Sequence, residues 1–135
     1  MLGILADSDV QGHVRALLGF YREEPWKQIW AGLNVTTHTF ESLGLSRDVP
    51  DLKVWTTAQA NNTVLITGNR NREGPDSLEA TIRRLNRPDC LPVFTIAAPD
   101  RIRRDRDYAQ RTALRLLECL SEIETFRGTG RIYLP

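Results

Sequence analysis

Two aspartates, Asp7 and Asp9, follow directly on the apolar run Leu2-Gly3-Ile4-Leu5-Ala6. A short buried strand that delivers carboxylates at its end is one way to present oxygen ligands to a cation. Three further stretches end in, or open on, groups of the same kind: Asp51 opens a helical pattern, Asn69 and Asn71 follow Thr63 to Thr67, and Asp100 follows Leu91 to Ala97. Carboxylates and amides in a chain with only two histidines favour a hard, oxygen-ligated ion, magnesium or manganese, over zinc. Most of these acids also have a purely structural explanation. Asp9 precedes an amphipathic stretch and Asp is a preferred N-cap, Asp51 gains from the dipole of the helix it opens, and Asp76 with Glu79 has capping-box spacing. Asp7 has no such explanation, because no helix needs it. His13, near the start of the first helix, and His38, in a short strand, are read as structural.

The elements that must position these groups alternate. Val10 to Tyr21 carries Val10, Val14, Leu17, Leu18 and Tyr21 on one helical face. Pro25 to Leu33 fits a short second helix with Trp26 and Trp30 at i and i+4, and Asn34 to Phe40 is rich in β-branched residues. Pro50 to Asn61 has a proline and acids at its start and reads as a helix. Thr63 to Thr67 (TVLIT) is short, apolar and bounded by turn residues, which marks a strand. Asp76-Ser77-Leu78-Glu79 opens a helix to about Asn86, and Leu91 to Ala97 is another strand. A long helix is expected from about Arg104 to Thr125, after which Gly128 and Gly130 release Arg131 to Leu134 as an edge strand. Strands alternating with helices predict one α/β domain over residues 1–135, a three-layer α/β/α arrangement around a mostly parallel sheet. In such sheets ligands bind beyond the carboxyl ends of the strands, where Asp7 and Asp9 fall.

The composition, 41% hydrophobic and 26% charged over 135 residues, is that of an ordinary globular domain. No apolar run approaches the roughly 20 residues that span a bilayer, and the first residues lack signal-peptide features. A soluble, cytoplasmic protein without a membrane partner is expected. Cys90 and Cys119 have no metal-type spacing and read as reduced. The net charge of +1 is unevenly spread: residues 1–69 carry five cations against seven acids, and residues 70–135 carry thirteen arginines against ten acids. Arginine offers a planar fork suited to phosphate. Arg101, Arg103, Arg104, Arg106 and Arg111 alternate with Asp100, Asp105 and Asp107, which describes either a solvated helix face laced with ion pairs or a rim that contacts phosphates. Trp26, Trp30 and Trp55 are read as packing residues in preference to base-stacking platforms.

The order of motifs resembles the PIN-like family, specifically its small stand-alone, toxin-related branch. The family's opening strand ending in an acid resembles Ile4-Leu5-Ala6-Asp7. Its loop and second acid before a helix resemble Glu41-Ser42-Leu43-Gly44-Leu45-Ser46-Arg47-Asp48-Val49-Pro50-Asp51. Its strand ending in Thr resembles Val64-Leu65-Ile66-Thr67-Gly68-Asn69. Where that branch carries an acid two residues after the Thr, this chain has Asn69, with Asn71 shortly after. An amide can coordinate a hard cation but adds no negative charge, and Asp76, Asp100 or Asp105 would have to supply the missing acid. The resemblance implies metal-dependent hydrolysis of an RNA phosphodiester. Magnesium or manganese would be held by Asp7, Asp51, Asp9 and Asp76, and Thr67 and Asn69 would position water or metal. Arg70, Arg72 and Asn71 would hold the substrate backbone. Partners it implies are RNA, an antitoxin-like protein and a second copy of the chain.

Two other enzyme families share parts of the pattern. Asp7-Ser8-Asp9 and Val64-Leu65-Ile66-Thr67-Gly68-Asn69 also resemble the first two motifs of haloacid-dehalogenase-type phosphatases. That mechanism calls for a lysine after the Thr motif, and the chain has only Lys27 and Lys53. A response-regulator receiver lacks its phosphoacceptor Asp and its lysine here. A non-enzymatic reading also follows from the amides: a catalytically degenerate PIN-like module binding RNA through its arginines, or a protein through an exposed helix. Converging carboxylates that repel one another argue against it, since a site without use has little reason to hold them.

Overall fold

A computed structural model of the chain describes residues 1–68 and 77–135. Five strands form one sheet, β1 (Gly3–Ala6), β2 (Thr36–His38), β3 (Thr63–Gly68), β4 (Val93–Ile96) and β5 (Arg131–Leu134), in the order β2-β1-β3-β4-β5. Every neighbouring pair is parallel. Among the described residues six α-helices accompany them: α1 (Gln11–Phe20), α2 (Trp26–Leu33), α3 (Asp51–Ala60), α4 (Leu78–Leu85), α5 (Arg101–Arg104) and α6 (Arg106–Ser121). The expected three-layer α/β/α arrangement is therefore present, with a sheet that is parallel throughout.

Strand burial follows from sequence. All residues of β3 and β4 are buried, as their continuous apolar character requires of strands covered on both faces. Side-chain alternation divides the core in two. Ile4, Val64, Ile66, Phe94, Ile96 and Leu134 face α1 and α6, joining Val14, Leu17, Leu116 and Leu120. Leu5, Leu65 and Val93 face the other way, against Val54 and Trp55 of α3 and Leu78 and Ile82 of α4. Trp26 and Trp30 serve packing, as expected: Trp30 stacks on Tyr21 with centroids 4.8 Å apart, and Trp26 meets the edge of Phe20 at 5.7 Å.

Three elements differ from expectation. The strand expected over Asn34 to Phe40 shortens to Thr36–His38, because Asn34 ends α2 in the left-handed region (φ 53°) and Phe40 leads into a 3₁₀ turn. The long helix expected from about Arg104 starts at Arg106, separated from the unforeseen short α5 by Asp105, whose backbone is extended (φ −132°, ψ 100°). Its carboxylate accepts the Tyr108 N–H at 3.1 Å and so caps α6. At the far end, α6 stops at Ser121 and a 3₁₀ turn covers Ile123–Phe126. Finally, α4 is capped by Ser77, whose Oγ accepts the Ala80 N–H at 3.1 Å. Ser77 thus takes the capping role expected of Asp76, and Glu79 is free for a different partner.

Candidate functional site

The topology makes β1 the switch point of the sheet, since the chain adds β2 on one side of it and β3 on the other. Crevices in open parallel sheets lie beyond the carboxyl ends of the strands at such a point. Asp7 continues β1 into that crevice. Its N–H donates to the Ile66 carbonyl at 2.9 Å, its carbonyl accepts the Val10 N–H at 3.0 Å, and its Oδ1 accepts the Ser8 N–H at 2.8 Å. Backbone and carboxylate are thus both tied, and the residue is 6% exposed. Burial of a carboxylate at a strand end is costly unless something stabilises its charge.

Asp9 is not the cap of α1. Val10 holds the N-cap position without a side-chain bond. Asp9 instead lies at the end of β3, where its Oδ2 is 3.5 Å from the point a Cβ on Gly68 would occupy. Asp51, first residue of α3, is half-buried at the helix N-terminus. Asp7, Asp9 and Asp51 line one open cleft of about 600 Å³ together with Arg47 and Asp48. Asp48 and Arg47 were not singled out from the sequence. Asp48 stands three residues before Asp51, and its Oδ1 accepts the Ser46 hydroxyl at 3.0 Å. Several acids around one cleft create a negative potential that draws in a cation.

Thr67 is fully buried and level with Asp7, because Ala6 pairs with Ile66. On its other side it pairs with Thr95, and the two hydroxyls share a hydrogen bond of 3.1 Å. Arg131 of β5 closes the row: its Nη1 donates to Thr95 Oγ1, and Glu79 of α4 holds the same guanidinium through contacts of 3.1 and 3.2 Å. A guanidinium only donates, so Thr95 accepts from Arg131 and its own proton is available to Thr67. This chain of polar groups, on the α3/α4 side of the sheet, was legible only in part. Thr67 and Thr95 each interrupt an apolar strand, but nothing local marks Arg131, whose role depends on register across β4.

Asn69, Arg70, Asn71, Arg72 and Asp76 lie outside the described residues. Asp100 and Asp105 do not line the carboxylate cleft. Asp105 is committed to its cap and to Arg101, 2.7 Å away. Those two hydrogen bonds, Arg101 first, hold its carboxyl below the usual carboxylate range. The arginine run makes local contacts with rings and backbone. Arg101 and Arg111 lie over the Tyr108 ring at 4.5 and 5.8 Å, Arg106 lies over Phe20 at 5.5 Å, and Arg104 donates to the Asp100 carbonyl. His38 packs against Gly3 and takes no part in the carboxylate cleft. Among the described residues no three His, Cys, Asp or Glu side chains converge as a ready metal-ligand set. None of the described helices is long and apolar enough to cross a membrane. Compared with known proteins, the chain matches no family model, no curated protein and no solved structure.

Proposed function

We propose that the chain is a metal-dependent phosphodiester hydrolase, and within that class a ribonuclease of PIN-like type. The observation that supports it is the gathering of Asp7, Asp9 and Asp51 around one cleft at the carboxyl ends of β1 and β3, with Thr67 level with Asp7. The donor set is all oxygen, which suits magnesium or manganese, and magnesium sites commonly use only one or two carboxylates and complete their shell with water and substrate. Such an ion, when bound, would activate water and neutralise charge on the reacting phosphate.

The chain's own residues do the rest. Asp7, tied at both backbone and side chain, holds a fixed carboxylate in the crevice. Asp51 holds a second one at the N-terminus of α3. Thr67, whose hydroxyl is held by Thr95 at the level of Asp7, would orient water at the strand ends. Asn69 with Thr67 positions water or metal, Asp76 adds an acid, and Arg70, Arg72 and Asn71 hold the RNA backbone.

The test is incubation of purified protein with labelled single-stranded RNA and manganese, beside Asp7→Asn and a chelator. The expected result is cleavage that the chelator abolishes and Asp7→Asn lowers by roughly two orders of magnitude or more. A second reading is favoured by one observation, the lack of a three-acid ligand set among the described residues. It is a non-catalytic module that binds RNA or an antitoxin-like protein. RNA retention without cleavage by folded protein, unaffected by Asp7→Asn, would select it.

A further inference from the structure

Beside the carboxylate cleft, on the α1 side of the sheet, lies a second cavity of about 500 Å³. It exists because β2 is three residues long and sits at the sheet edge, while α1 covers β1. Its apolar lining comes from Ile4, Ala6, Val14 and Leu18, closed by Phe40 and Leu45. Arg15, exposed on α1, and Arg47 add two guanidinium groups to the same cavity. Phe40 and Arg47 line both this cavity and the carboxylate cleft, so the two are neighbours.

We propose that this cavity is a nucleotide subsite, taking the base and ribose of the unit next to the phosphate held in the carboxylate cleft. The proposal deepens the hydrolase reading and rests on it for its substrate class. Three features favour a nucleoside phosphate. The volume falls in the range of small-ligand pockets, which combine an apolar lining with a few polar groups. A base presents an apolar face that such a lining accepts, and Glu41 and Ser46 supply acceptors for base N–H groups. Two arginines line it, and arginine is the side chain best matched to phosphate. Arg47, shared by both linings, would hold the linking phosphate, and Arg15 would meet a second phosphate of the same strand.

The experiment measures binding in chelator, without turnover, so that it is independent of catalysis. Adenosine 5′-monophosphate, ribose 5-phosphate and a short single-stranded RNA are titrated by NMR against wild-type protein, Leu18→Trp and Arg15→Glu. Leu18→Trp fills the cavity. Arg15→Glu changes only an exposed position and tests the proposal should the tryptophan variant fail to fold. Expected are amide shifts at Ile4, Leu18 and Leu45, binding of the mononucleotide at least tenfold tighter than ribose 5-phosphate, and at least a tenfold loss in either variant. Equal binding of the two phosphates, or indifference to both variants, overturns the subsite even if manganese-dependent cleavage is intact. Mononucleotide binding with the expected shifts in a protein that cleaves no RNA supports the subsite while discarding the hydrolase reading.

Discussion

Asp105 illustrates how one carboxylate can be mistaken for a site. Seen in sequence it is one of several acids among arginines, yet it spends both oxygens on structure, one on the Tyr108 N–H and one on Arg101. Its carboxyl is held low by those bonds, so its contribution is complete at neutral pH and disappears as pH falls through the folded value. An Asp105→Asn variant should show a flatter acid limb in a plot of melting temperature against pH, converging with wild type in strong acid. Parallel curves would mean that the carboxylate is not coupled to folding. The buried row behaves differently because its members depend on one another. Thr95→Val removes the acceptor of Arg131, and Arg131→Met leaves Thr95 and Glu79 without their shared donor. Each should cost roughly 1–3 kcal/mol in urea unfolding, and the double variant should cost clearly less than the sum. Additive losses would show that the row is not a unit. Asp7 could be singled out from its sequence position because an acid that follows an apolar run and caps nothing has few structural uses. Arg131 could not, since its partners are 36 and 52 residues away.

At the scale of elements, most of the fold was readable. Continuous apolar runs identified β1, β3 and β4, helical spacing identified α1, α2 and α3, and capping-box spacing identified α4. What failed was punctuation. The one-turn helix α5 before the Asp105 cap was not foreseen, since four residues are too few to show a helical period. The cap of α4 fell on Ser77 because its hydroxyl reaches the Ala80 N–H, and Ser77→Ala should cost about 1 kcal/mol in chemical unfolding. No loss would mean that another group satisfies that N–H. Gly68 ends β3 between two turns. A Cβ there would approach Val10 Cγ1 to 2.9 Å and Pro99 Cγ to 3.0 Å, with Asp9 Oδ2 at 3.5 Å. Gly68→Ala should therefore lower stability and, if the cleft is a metal-dependent site, weaken the manganese dependence of cleavage as well. A variant of unchanged stability would mean that the two turns yield without strain.

For the molecule as a whole, both cysteines are buried and unpaired, and burial pushes the Cys119 thiol up. Cys119 lies in the core between α6 and the sheet, so its reaction with a thiol reagent should wait on opening of the domain, and the labelling rate should rise with urea. Rapid labelling of the native protein would contradict that burial. If RNA is the substrate, its affinity should fall linearly with log salt concentration, with a slope that reports how many phosphates the arginines contact. The strand order carries one more consequence, which concerns synthesis. β1 is made before the other four strands but sits inside the sheet, and its second neighbour, β3, begins only at Thr63. The row that supports Thr67 closes later still, when Arg131 takes its place beside β4. A chain emerging from the ribosome thus carries its acids long before it can hold them in register. The row beneath β3 and β4 thus waits for Arg131, whatever the cleft does.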